Sequence, residues 1–419
     1  MLPHSNRLVQ IASFRAFRRE MQLATAVLLL TCGVRAPAQT QPPDDSAMRH
    51  QALLLCDQNN FVDALPLLEK LAEAHPTDFV IMERLGSALL GASANEPDAA
   101  KQKQMILRAR STFLRAKELG DKSDYLATML EKLPENGEIT PYSSRKEVDA
   151  VMREGEAAFN RSDFAAAIAA YQKALQIDPS TYDAALFTGD IYFRMNQMDK
   201  AGSWFAKAIA IDPEREAAYR YWGDALLKDR KMDEAKAKFI EAVICQPYQR
   251  TPWNGIHNWV SANHAALSKP EVDLPNSVSG GGKQINITLG PESTGKKDGS
   301  EAWVAYSLSK ALWRGDKFKQ QFPNEKEYRH SLAEEVDALN TAISVLSENY
   351  NTPKKRKKLQ PSLRTLLELH EKGMIEPFIL ITKADAGIAR DYAAYRSRHR
   401  DKLREYIGEW LIKPGVPSK

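Results

Sequence analysis

The chain has 419 residues, of which 43% are hydrophobic and 27% charged, so it can bury the cores of two or three globular domains and is too apolar to be wholly disordered. Its formal net charge is +4, but residues 1 to 38 carry Arg7, Arg15, Arg18, Arg19 and Arg35 against Glu20 and account for all of it. The remainder is formally neutral, and charge gives no support to nucleic-acid binding.

The first forty residues differ in kind from the rest. Arg15, Arg18 and Arg19 precede an apolar run from Leu23 to Val34, broken by Thr25, Thr31, Cys32 and Gly33 and followed by Ala36-Pro37-Ala38. A basic region, a short apolar region and a small-x-small site predict a secretory signal over residues 1–38. The apolar run, about twelve residues, is short for a bilayer span. Export to the periplasm or the exterior is therefore expected. A lipid anchor at Leu29-Leu30-Thr31-Cys32 is the lesser alternative, because threonine stands where a small residue belongs. Residues 39–46, with Pro42 and Pro43, read as a disordered spacer.

Residues 47–133 show two degenerate helix pairs. Ala52, Ala64, Leu68 and Leu71 lead to Pro76 in the first, and Gly86, Leu89, Ala109, Phe113 and Ala116 form the second. About eleven surplus residues in the second pair are placed around Gly91 to Lys103, where Asn95-Glu96-Pro97-Asp98 predicts a turn and a new helix start. A helix from Tyr125 to Leu133 follows, then a linker over 134–147.

Residues 148–249 repeat one pattern three times at a spacing of 34. Gly155, Gly189 and Gly223 form one column, and Ala167, Ala201 and Ala235 a second. Tyr171, Phe205 and Phe239 form a third, Ala174, Ala208 and Ala242 a fourth, and Pro179, Pro213 and Pro247 a fifth. The glycines and first alanines are small where two helices cross. The aromatic and the alanine after it share one helix face, expected to bury against the next unit. The proline ends the second helix. Period and residue types together resemble the tetratricopeptide repeat (TPR) family, whose unit is an antiparallel helix pair. The resemblance implies an all-α helical-hairpin solenoid that is non-enzymatic, needs no cofactor and binds other polypeptides.

In that architecture the first helices line a concave groove. Glu156, Asp190 and Asp224 follow the repeat glycines, with Phe159, Phe193 and Leu227 three residues further on. Together with Met152, Leu186 and Arg220 they are the candidate partner-binding residues, suited to an extended or helical segment with basic and apolar side chains. The clamp of lysines and asparagines by which some members of the family hold acidic chaperone tails does not carry over. Met152 and Glu156, then Ala217 and Tyr221, stand in its places.

After Pro247 the period is lost. Trp253, Ile256, Trp259 and Val260 predict a capping helix within 250–267. Residues 268–300 read as a flexible loop around Gly280-Gly281-Gly282, with one short strand or hairpin from Lys283 to Leu289 that places Ile285, Ile287 and Leu289 on one side. Residues 301–419 read as a helical domain, with helices over Glu301–Arg314, Glu325–Asn349, Leu363–Lys372, Ile375–Lys383 and Ala386–Leu411. This last third is the seat of the alternative reading, an enzyme whose repeats recruit substrate.

Three features there and elsewhere have bland readings. His330 with Glu334 and Glu335 fits a salt-bridged helix face better than a metal site, so no metal is expected. Cys56 and Cys245 read as buried small residues without a disulfide. The basic run Lys354 to Lys358 reads as a solvated loop, with anionic membrane surface as the sharper alternative.

Overall fold

The computed structural model describes residues 43–94, 96, 98–138, 141–281, 284–288 and 297–414. The signal over 1–38, spacer residues 39–42, and Lys283 and Leu289 of the expected strand lie outside the described residues. The described chain is mainly helical and divides into two compact units, Met1–Asp212 and Pro213–Lys419.

The first unit is a series of antiparallel helix pairs: α1 (Pro43–Asp57) with α2 (Phe61–Ala74), α3 (Phe79–Ser93) with α4 (Ala99–Glu118), then α5 (Asp124–Lys132), α6 (Lys146–Asn160) with α7 (Phe164–Ile177), and α8 (Tyr182–Arg194) with α9 (Met198–Ile211). Helix α1 begins inside the expected spacer, so residues 43–46 are helical. A proline, which has no N–H to satisfy, opens the first turn, and Asp45 favours the positive helix end. The break before α4 falls where the sequence places it, since the Asp98 carboxylate caps the Ala100 and Lys101 N–H groups.

Small residues set the helix crossings. A Cβ on Gly155 would stand 2.3 Å from the Tyr171 ring, and one on Gly189 would stand 2.5 Å from the Phe205 ring. The aromatic therefore packs first against the glycine of its own helix pair. It also meets the next pair, as expected: the Tyr171 and Phe187 rings lie 5.5 Å apart, edge to face. The degenerate pairs use the same device, Gly86 against Phe113 and Gly91 against Phe61. Ala167, Ala174, Ala201 and Ala208 have no exposed surface. Gly189→Val should lower stability by about 1–3 kcal/mol through overpacking, and Phe205→Leu in the same chain should recover part of it; denaturant titration measures both, and an unchanged midpoint for the single variant would refute this packing.

The second unit starts with α10 (Glu216–Lys228) and α11 (Met232–Cys245), where a Cβ on Gly223 would stand 2.5 Å from the Phe239 ring and Ala235 and Ala242 are fully buried. Helix α12 (Arg250–Ala262) covers the open side. A Cβ on its Gly255 would stand 2.2 Å from the Phe239 ring, and the Trp259 Nε1–H donates to the Met232 carbonyl at 2.7 Å.

Strand β1 (Ala266–Leu267) pairs antiparallel with β4 (Ile412–Lys413), and β2 (Val278–Gly281) with β3 (Gln284–Ile287). The helices between are α13 (Ala302–Leu312), α14 (Phe318–Gln321), α15 (Leu332–Asn349), α16 (Pro353–Arg356), α17 (Pro361–Glu371), α18 (Ile375–Phe378) and α19 (Tyr392–Glu405). Phe239, Ile240 and Ile244 of the third pair share one apolar core with Trp303, Leu339, Leu366, Phe378 and Tyr406. Polar contacts reinforce it. The Tyr392 hydroxyl donates to the Ile244 carbonyl at 2.7 Å, Arg400 and Arg404 pair with Glu241 at 2.8 and 2.5 Å, and Arg396 pairs with Glu214.

Three expected elements differ here. Helix α15 starts at Leu332 rather than Glu325, because the Ser331 hydroxyl accepts the Glu334 N–H and Arg329 ties the preceding residues to Glu325 and Asp391. The helix expected over Ala386–Leu411 is interrupted, with a 3₁₀ turn at Ile388–Asp391, non-helical backbone at His399 and a π turn at Tyr406–Leu411. Part of the expected flexible loop is packed, since Val272 is fully buried and the Asp273 N–H donates to the Ser362 hydroxyl at 2.8 Å.

Candidate functional site

The first helices of the repeats carry the candidate residues, and the structure sorts them by exposure. Met152, Phe159 and Leu186 are 0%, 3% and 2% exposed and serve as core. Glu156, Phe193, Asp224 and Leu227 are half-exposed. Asp190 is buried and accepts from Arg194 Nε at 3.3 Å, while the Arg194 guanidinium lies 4.9 Å from the centre of the Phe159 ring. Arg220 is 8% exposed; its Nε donates to Glu216 at 3.0 Å, and its Nη2 is buried without an acceptor among the described residues. Part of the acidic row is therefore committed inside the protein.

Glu156 is the joint between packing and surface. It accepts the Tyr171 hydroxyl at 2.5 Å. Burial and then this carboxylate hold the Tyr171 phenol well above its ordinary range, so it remains a donor.

The expected linker is not a bare spacer, and the sequence reading missed this. Tyr142 lies against the first-helix side of the first unit, its ring 6.1 Å from that of Phe187 at a right angle. Its backbone N–H donates to Asp149 Oδ1 at 2.8 Å, and Asp149 Oδ2 accepts from Arg153. Burial, then Glu156 and Asp183, push the Tyr142 phenol up as well. Downstream, Arg145 Nη1 donates to the Ile177 carbonyl at 2.9 Å.

The last third offers a second constellation. Lys310 Nζ lies 2.9 Å from Glu334 and 2.8 Å from Glu335, whose side chains are 0% and 1% exposed. Glu335 also accepts from the Tyr306 hydroxyl at 2.7 Å, and Glu334 from the Tyr328 hydroxyl at 2.9 Å. His330 bridges Glu335 and Asp385, at 2.7 Å to each. Burial opposes the charge on His330, but the carboxylates prevail and its pKa is raised. Burial likewise opposes the charge on Glu335, yet His330 and Lys310 bring it down to about 2. His330, Glu334 and Glu335 are thus neighbours as expected, although His330 precedes the helix. Lys310 and Asp385 complete the cluster from distant sequence. Each buried acid has a cation or donor, which is the arrangement of an interior ionic cluster. No group of three or more His, Cys, Asp or Glu suited to a metal occurs among the described residues. Beside the cluster, Arg314, Phe318, Lys319, Glu325 and Tyr328 line a cavity of about 280 Å³.

The remaining candidates are quickly placed. Cys56 and Cys245 are buried thiols outside any disulfide, and burial pushes the Cys245 thiol up to about 12. Thr352 caps the short helix α16, Arg356 pairs with Glu371 at 2.6 Å, and the flanking lysines are exposed. No described helix is long and apolar enough to cross a membrane.

Residues 152–216 match the family model described as Tetratricopeptide repeat. Among solved structures, the first TPR of Spaghetti (RPAP3), bound to an HSP90 peptide, is 21% identical, with 29% of this chain and 96% of that chain covered and a TM-score of 0.27. MamA is 20% identical over 48% and 91%, with a TM-score of 0.24. YrrB, a TPR protein with an unusual peptide-binding site, is 18% identical over 52% and 93%, also with a TM-score of 0.24. No curated protein matches the chain. The glycine-to-aromatic crossings at the repeat interval fall at Gly155 and Gly189, inside the matched segment.

Proposed function

We propose that the chain, whose residues 152–216 match the tetratricopeptide-repeat model, is an interaction scaffold that holds partner polypeptides on the first-helix faces of its repeats. The observation that carries this reading is the division of labour within each pair. Gly155, Gly189 and Gly223 pack against the aromatics of the second helices, while Glu156, Phe193, Asp224 and Leu227 of the first helices stay half-exposed. Acid beside apolar surface favours a segment with basic and apolar side chains, charge supplying register and the apolar groups supplying affinity.

The proposed setting is the cell envelope or the exterior, supported by the basic-then-apolar stretch ending at Ala36-Pro37-Ala38. The interaction is tested with labelled peptides that alternate lysine with leucine or phenylalanine. Asp224→Lys together with Leu227→Ser should weaken their binding about tenfold at low salt. Asp224 is the better site for reversal, since a lysine at enclosed Asp190 would face Arg194. Equal affinity of the doubly substituted chain and the wild type would overturn the reading.

A further inference from the structure

Tyr142 is the only aromatic residue between Leu133 and Phe159, and it comes from a stretch that connects helix pairs. Its ring is seated edge-on against Phe187, its main-chain N–H is held by Asp149, and Glu156 and Asp183 lie close enough to raise the energy of its phenolate. Phe187 in turn stands against Tyr171, whose hydroxyl is fixed by Glu156. The seat is thus a rigid aromatic wall with carboxylates around it. It holds a hydroxyl-bearing ring by an edge-to-face contact and the main chain of the same residue by a hydrogen bond to Asp149. Neither contact depends on the ring belonging to this chain.

The occupying segment also matches the chemistry proposed for a partner. Pro141, with its own φ fixed, directly precedes the tyrosine. Arg145 and Lys146 follow it and are exposed, with Arg145 Nη1 on the Ile177 carbonyl, so the segment that carries the tyrosine is basic on its carboxy-terminal side. Tyr142 stands in the connecting segment before α6, its phenol buried while the residue as a whole keeps some exposure, and it belongs to no helix.

We propose that Asp149, Glu156, Asp183 and Phe187 form the subsite for an aromatic residue of the partner polypeptide, and that Tyr142 fills this subsite in cis until a partner's aromatic side chain displaces it. The proposal rests on the peptide-binding reading above and names the side chain which that reading leaves open. Occupancy in cis lowers the apparent affinity for a partner by the fraction of molecules in which the seat is filled.

The test uses the full-length chain and a synthetic peptide of its own residues 137–146, read by fluorescence anisotropy. Tyr142→Ala should bind the peptide saturably and at least about tenfold more tightly than wild type does. The same peptide with alanine for tyrosine should not bind. Tyr142→Glu, which keeps the backbone donor but meets Glu156 and Asp183, vacates the seat by a second route and should give the same gain. Folded variants that bind the peptide no better than wild type would overturn the proposal. Loss of cooperative melting in both variants would overturn it too, since Tyr142 would then be a structural fastener. If the lysine-containing peptides still bind in either case, only the assignment of this subsite falls; if they do not, the scaffold reading falls with it.

Discussion

Phe239→Ala is expected to destabilise the second unit by about 3–5 kcal/mol, the range for removing a fully buried aromatic whose surroundings cannot collapse. The ring has no exposed surface. It lies between Gly223 and Gly255, each close enough that an added Cβ would overlap it. Truncation thus opens a void against two backbones rather than against mobile side chains. Helix α12 cannot close the gap easily, because Trp259 holds it to the Met232 carbonyl. Urea unfolding followed by circular dichroism and tryptophan fluorescence measures the loss. Phe239→Leu should cost distinctly less. A loss below about 1 kcal/mol for the alanine variant would mean that the ring does not wedge these helices.

Lys310→Met is the second large effect, about 3–5 kcal/mol, because it leaves buried Glu334 and Glu335 without their ammonium partner. Glu335→Gln added to it should recover part of the loss. A purely additive double variant would contradict the pairing. The same cluster sets a pH dependence with opposite signs at its two ends. The pKa of Glu335 is depressed from 4.5 to about 2, so its contribution is present above pH 4.5 and is lost as pH falls through about 2. The pKa of His330 is raised from 6.5, so its contribution is full below 6.5 and is lost as pH rises through the folded value. His330→Gln should remove the alkaline part of the profile and leave the acid part.

The repeat scaffold was legible because packing leaves little choice at a few positions. A helix crossing needs glycine opposite an aromatic, and the same geometry recurs every 34 residues, so the columns at Gly155, Tyr171 and their equivalents stand out. Gly255 plays the same role one helix later but sits 32 residues after Gly223, off the interval. Local rules also contained the start of α15. Ser331 with Glu334 three residues on is a capping signature, yet the apolar periodicity drew the expected start back to Glu325.

The candidate site was legible only in part. Sequence spacing finds which residues share a helix face, and it placed Glu156, Phe193, Asp224 and Leu227 on the surface side. It could not show that Arg194 would take up Asp190, or that Tyr142 would fold onto Phe187. Lys310, His330 and Asp385 illustrate the same limit, since tertiary contacts between distant segments leave no periodic trace.

The most direct test of the scaffold account is affinity selection of random displayed peptides on the immobilised full-length chain, with each enriched peptide titrated against wild type and against Asp224→Lys/Leu227→Ser. The account predicts enrichment of segments that combine basic and aromatic or aliphatic residues, binding the variant about tenfold more weakly. No enrichment, or peptides that bind variant and wild type alike, would contradict it.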